Sequence, residues 1–171
     1  QTLGARILPS NLEVAEELDE ITEEIEGRSR QEQLLQMRKD ALKIMTALRD
    51  FHPRLVGSVW RGTAHKNSDI DILTFSSDPT LVLAQLQKDG FRISRAEWRS
   101  VTKLGKKESS FHIHLNLPSG NEAEVVVRSL EKMGLSERCE IYGDLATGLS
   151  HPQLQRVLEE NPFQKFVPTH R

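Results

Sequence analysis

The chain has one cysteine, Cys139, among 171 residues. That count excludes an intramolecular disulfide framework, and no histidine or carboxylate pair stands at finger-like spacing to make a zinc site. No apolar run approaches the roughly 20 residues that a membrane helix needs. The N-terminal residues lack the basic segment, apolar segment and small-residue cleavage site of a signal peptide, so a cytoplasmic location without membrane contact is expected. Internal repeats and low-complexity tracts are also missing. Basic residues are absent from Asn11 to Glu26, a stretch that holds eight acidic ones.

What is present reads as a folded globular chain: 37% hydrophobic and 28% charged residues, at a length that suits one compact unit with a sizeable core. The net charge of −2 hides an asymmetry. Arg92, Arg95, Arg99, Lys103, Lys106 and Lys107 crowd one segment against a single acid, Glu97. That segment either faces phosphate or is a solvated face.

Ser10 and Glu13 form a capping box, and Val14, Leu18, Ile21 and Ile25 then recur at helical spacing. A second helix places Leu34, Met37, Ala41, Ile44 or Met45, and Leu48 on one face, and His52-Pro53 stops it. From Arg54 the period changes. Leu55-Val56 is a short strand, Val59 to Thr63 a short helix, and Ile70 to Phe75 a buried strand. Asp78-Pro79 starts a helix with Leu81, Val82 and Leu86, which Gly90 closes. Strands are expected over Phe91 to Leu104, Phe111 to Leu117 and Glu122 to Arg128, with turns at Gly105 to Glu108 and at Pro118-Ser119-Gly120-Asn121. One helical turn over Ser129 to Met133 and a last helix capped by Ser150 and Gln153 complete the series. Consecutive hairpins predict an α+β fold with a mixed, partly antiparallel sheet, packed helices and an N-terminal helical pair. Residues 1–52 read as a helical extension, 53–133 as the core and 134–171 as a C-terminal extension with one helix, all one compact unit.

Gly57-Ser58, Arg61-Gly62 and Ser68-Asp69-Ile70-Asp71-Ile72 need a common explanation. Asp69 and Asp71 are two apart, so in a strand both leave one face while Ile70 and Ile72 enter the core. Carboxylates about 4 Å apart repel by about 4 kcal/mol at an effective dielectric near 20. A hard cation such as magnesium would offset that. Glycine after a strand lets backbone approach a ligand closely. The next helix N-terminus offers free N–H groups to phosphate, and Ser58 and Arg61 add donors. A phosphate cradle beside an acid pair describes phosphoryl or nucleotidyl transfer.

The stretch Leu55-Val56-Gly57-Ser58-Val59-Trp60-Arg61-Gly62-Thr63-Ala64, followed by Ser68-Asp69-Ile70-Asp71-Ile72, closely resembles the signature of the polymerase-β-like nucleotidyltransferases, most of all its small, minimal members. The resemblance runs from about Leu55 to Leu130. It implies a third carboxylate on a neighbouring strand. Glu124 matches, where the family commonly carries aspartate, and Glu122 is the competitor on the same face. It further implies that Asp69, Asp71 and Glu124 are catalytic and hold two Mg2+ ions, and that Gly57, Ser58, Arg61 and Ser68 bind a nucleoside triphosphate, ATP favoured. A nucleoside monophosphate would pass to a hydroxyl acceptor, unknown from the sequence, with release of pyrophosphate. The alternatives are a nucleotide- and partner-binding protein with weak or lost catalysis, or an antitoxin-like modifier of a helical partner protein; an RNA or protein partner fits either. His112 and His114 share a half-exposed face near Glu124. His65 and Lys66 stand in the loop before the acids. Trp60 is expected to pack, and Cys139 and Tyr142-Gly143-Asp144 suggest no role.

Overall fold

The computed structural model describes residues 8–135 and 137–169. Helix α1 (Asn11–Glu26) starts at the capping box: Ser10 Oγ accepts from Glu13 N, and Glu13 Oε2 accepts from Ser10 N. Helix α2 (Arg28–Ala47) buries Leu34, Met37, Ala41, Ile44 and Met45, the face that its spacing predicts, and Leu48 follows them into the core. The apolar residues of α1 do not go inside: Val14, Leu18, Ile21 and Ile25 are exposed. Polar contacts anchor that helix instead. Asp19 pairs with Arg30 at 2.6 Å and with Lys165 at 2.5 Å.

Strand β1 (Arg54–Val56), helix α3 (Gly57–Arg61), strand β2 (Ile70–Phe75) and helix α4 (Pro79–Lys88) follow. Asp78 caps α4 by accepting from Thr80 N. Val82 and Leu86 of α4 are buried, whereas Leu81 is exposed. Strands β3 (Arg92–Lys103), β4 (Lys106–Asn116) and β5 (Glu122–Arg128) form the meander, and β6 (Leu149–Ser150) leads into α5 (His151–Glu160). Ser150 and Gln153 make a reciprocal capping box at the start of α5. A 3₁₀ turn at Leu130–Lys132 takes the place of the helical turn expected there.

The six strands order as β3-β4-β5-β2-β1-β6. Only β2 and β5 are parallel, and every other pairing is antiparallel. This is the mixed sheet of an α+β fold. One face carries Leu55, Ile70, Ile72, Ile113, Leu115, Val125 and Val127 into the core beneath α2, α4 and α5. The opposite face carries Val56, Asp71, Leu73, Glu124, His112 and His114.

Two departures have simple causes. The β3–β4 ladder runs out to Lys103↔Lys106, so the turn is only Leu104-Gly105, with φ of 50° and 77°. Two positive φ values suit a two-residue hairpin turn. The start of β4 lies beyond the core, so it shows no apolar alternation to read. Strand β6 is two residues long, too short for any period; Gly148 lets it close on β1, since a Cβ there would stand 2.4 Å from Leu55 O.

Candidate active site

The antiparallel and parallel registers place Val56, Asp71, Glu124, His114 and Arg95 in one row across the open face. Asp71 and Glu124 are direct cross-strand partners. Glu122 stands one row on, opposite Asn116. Asp69 precedes the first residue of β2 and feels Glu122 before Glu124 in the field that raises its pKa, after burial and against the opposing effect of His114. Burial, then Glu124, then Asp69 push the Asp71 carboxyl up to about 7. Both shifts mark a cluster short of positive charge.

Glycine at position 57 is a steric requirement. Its φ is +74°, and a Cβ would stand 2.5 Å from Asp71 Oδ2. The backbone of the Gly-Ser step therefore lies against the carboxylate row. Ser58 continues α3, and its carbonyl accepts from Gly62 N and Thr63 N. Ser68 Oγ accepts from His65 N, and Ser68 N donates back to His65 O, closing the loop between cradle and acids. Gly57, Ser58, Ser68, His65 and Arg61 line one cleft of about 280 Å³. Leu18 of α1 and Tyr142 form its far side.

Arg61 does not present the free donor fork that its spacing predicts. Its Nη2 and Nη1 donate to Asp144 at 2.6 and 3.1 Å, Nη1 also donates to Phe166 O, and the guanidinium sits between the Trp60 and Tyr142 rings. Asp144 raises the Arg61 pKa above its ordinary value, though burial opposes this. Arg61 thus fastens two later segments onto α3. Nothing in the sequence around Tyr142 and Asp144 carries that signal, because the pairing spans more than eighty positions. Trp60 packs, as expected, against Phe166.

Glu124 is engaged by side chains of this chain. His112 Nδ1 is in direct hydrogen-bond contact with Glu124 Oε1, and Arg99 Nη1 stands 3.7 Å from the same oxygen. Arg95 and Arg99 are both bridged to Glu97. The basic hairpin is therefore partly self-neutralised where it meets the acids.

By chemistry and charge, Asp69, Asp71 and Glu124 fit a hard divalent cation: oxygen donors with raised proton affinity at two of the three. Among the described residues, no group of three or more His, Cys, Asp or Glu side chains stands at metal-holding spacing. His112 holds Glu124 through Oε1 in this arrangement.

The chain belongs to the nucleotidyltransferase domain family, whose model matches residues 38–130. Solved structures add likenesses of fold. Cid1, described as having RNA terminal uridylyl transferase activity, is 14% identical with a TM-score of 0.42, over 66% of this chain and 36% of its own. A cytoplasmic RNA terminal U-transferase is 18% identical with a TM-score of 0.41, over 66% and 36%. Terminal uridylyl transferase 4 from Trypanosoma brucei, with bound GTP, is 14% identical with a TM-score of 0.32, over 70% and 37%. The chain spans little more than a third of the length of these structures. Among curated proteins there is no match. No helix among the described residues is long and apolar enough to cross a membrane.

Proposed function

We propose that this nucleotidyltransferase domain moves a nucleoside monophosphate from a nucleoside triphosphate, ATP favoured, to a hydroxyl acceptor and releases pyrophosphate. The observation that carries the reading is the row of Asp71 and Glu124, flanked by Asp69, against a glycine that has no room for a side chain. Asp69, Asp71 and Glu124 would hold Mg2+, which when bound would neutralise phosphate charge and lower the pKa of the acceptor hydroxyl. The backbone at Gly57-Ser58 and the Ser68 hydroxyl donate to phosphate oxygens. Arg61 shapes that cleft by holding Asp144. Asp71 lies nearest the cradle, and of the three acids it would bring Mg2+ closest to the phosphates. Glu124 exchanges His112 for the reacting groups and accepts the acceptor proton. The acceptor oxygen bonds to the α-phosphorus as the bond to pyrophosphate breaks.

Incubation with each labelled nucleoside triphosphate and magnesium, scored for pyrophosphate and labelled product, tests the transfer. Binding without transfer would favour the binding-protein reading, for which the His112–Glu124 contact is the supporting observation.

A thermal-shift experiment tests the cradle without knowledge of the acceptor. Nucleotide and magnesium should stabilise the fold together and little apart. At 100 times the dissociation constant, linkage gives about 2.7 kcal/mol, and each kcal/mol moves Tm by roughly 2–4 °C at this size. A rise of about 5–11 °C is expected. It should vanish with a chelator and in Gly57→Ala, whose methyl group would collide with Asp71 Oδ2. Equal shifts with and without magnesium would place nucleotide elsewhere.

Steady-state kinetics separates the two glutamates. Glu124→Gln should lower turnover by about 10²-fold or more with little change in nucleotide binding, the cost of losing one catalytic carboxylate. Glu122→Gln, exposed and one row away, should stay within about threefold, under 1 kcal/mol. The reverse ranking moves the third acid to Glu122, beside Asp69.

A further inference from the structure

A second pocket lies on the open sheet face at its β1–β6 edge, away from the cradle. It has a volume of about 560 Å³, within the range of small-molecule sites. Arg49, His52, Arg54 and His151 all line it, and none of the described residues lining it carries a carboxylate. The contrast with the hairpin is chemical. There Arg95, Arg99 and Lys103 are answered by Glu97 and Glu137.

These side chains are placed by the fold. Arg54 is opposite Leu73 on β2 and opposite Ser150 on β6, and its Nη1 donates to Thr147 O at 2.7 Å. His151 opens α5 and contacts the Thr46 hydroxyl at 2.8 Å. Burial, then the charge of Arg49, lower its pKa, which favours the neutral imidazole. His52 holds a left-handed backbone, φ 52°, between a 3₁₀ turn at Arg49–Phe51 and β1. For a non-glycine residue that conformation is uncommon and concentrates at functional positions.

Apart from Thr147 and Ser150, the remaining side chains of the lining are apolar. Leu73 and Phe75, alternate residues of β2, form the floor, and Met133 and Leu135 stand at the exposed rim. Two guanidinium groups and two imidazoles gathered over an apolar floor, without an acid among them, match a ligand with an anionic end and a planar or apolar body. Leu73 is two residues from Asp71 on the same strand face, roughly 7 Å along it. Asp71, Asp69 and Glu124 do not line the pocket.

We infer that this pocket is a binding site for a phosphate monoester of mononucleotide size, separate from the triphosphate cleft. The phosphate meets Arg49, Arg54 and the two histidines, and the body lies on Leu73 and Phe75.

The test uses AMP as probe, with a chelator present, and follows the imidazole and backbone resonances of labelled protein by NMR. AMP should shift His52 and His151 in the parent and equally in Asp71→Asn. Arg49→Glu, at an exposed position, should weaken AMP at least tenfold, and Arg49→Gln should weaken it less. Inorganic phosphate should bind the same residues more weakly than AMP, and adenosine should not bind. No perturbation at millimolar AMP overturns the site. So does perturbation confined to Gly57, Ser58 and Ser68, or an unchanged affinity in Arg49→Glu. Phosphate binding as tightly as AMP overturns the role of the apolar floor, and adenosine binding as tightly overturns the role of the cations.

Discussion

Asp71→Asn is expected to slow nucleotidyl transfer by about 10²–10⁴-fold, a loss of roughly 3–5 kcal/mol of transition-state stabilisation, while making the metal-free fold more stable above neutral pH. The two effects have one origin. Asp71 carries a charge that the chain itself does not neutralise. Its pKa rises from 3.8 unfolded to about 7 folded. Below pH 3.8 the group is protonated in both states and imposes no penalty. As the pH climbs, the unfolded chain loses the proton first, so native stability declines until the folded group has titrated near pH 7. Above that the penalty is constant, at most about 4 kcal/mol for a shift of this size. Asparagine has the same shape and no such term. Urea melts between pH 3.5 and 8.5, in chelator, should give equal stabilities at the acid end and a growing advantage for the variant towards pH 8. Pyrophosphate release with saturating magnesium measures the rate. A variant that is active at the parental rate, or less stable than the parent at pH 8, would sink the assignment.

The placing of the candidate cradle beside the acid pair was legible because it is local. Gly57-Ser58 and Asp69-Ile70-Asp71 lie within fifteen positions, and alternation decides which residues face out. The candidate third acid was narrowed in the sequence only to Glu122 or Glu124, since the two share a face and only the β2–β5 register sets Glu124 opposite Asp71. Register depends on the whole sheet, not on the strand's own residues. Helix α2 and its buried face were equally plain from period alone. The extension of β4 to Lys106 was not, because a ladder outside the core has no apolar face to advertise it. Nor was the restraint of Arg61, whose partner Asp144 lies in a loop with no periodic signal. Charged side chains that satisfy backbone far away in sequence leave no pattern. Arg30 and Arg38 look, in a row of residues, like the polar face of an ordinary helix.

Arg38 shows how much such a residue can carry. It is fully buried, and no salt bridge reaches it among the described residues. Its compensation is backbone alone: Nε donates to Val59 O at 3.0 Å, Nη2 to Trp60 O at 2.9 Å and to Gln164 O at 2.7 Å, and Nη1 to Pro162 O at 2.8 Å. Two of these carbonyls belong to the last turn of α3, where helix geometry leaves acceptors without internal partners and the dipole favours a cation. The other two belong to the segment after α5. One guanidinium thus joins the helix that begins at the phosphate cradle to the C-terminal segment. Burial lowers its pKa to about 10, which leaves it charged at neutral pH. Arg38→Met keeps the length and the apolar stem but strands four carbonyls that no substitution can remove. A buried ion pair can be replaced on both sides by apolar residues at little cost, but here only one side can change. Several unsatisfied acceptors at roughly 1–3 kcal/mol each, partly rescued by water, put the loss at about 3–5 kcal/mol. That corresponds to a Tm lower by roughly 6–20 °C. Arg38→Lys should fall between, since one ammonium reaches fewer of the four acceptors and lacks the planar fork. Lys39→Met, one position on and exposed, should melt within about 2 °C of the parent, as surface changes do. Nucleotide with magnesium should recover part of the Arg38→Met deficit, because binding at the start of α3 holds the same helix from its other end. If Arg38→Met melts no lower than Lys39→Met, the guanidinium is not what fastens α3 to the C-terminal segment, and the cradle must be held by its strand contacts alone.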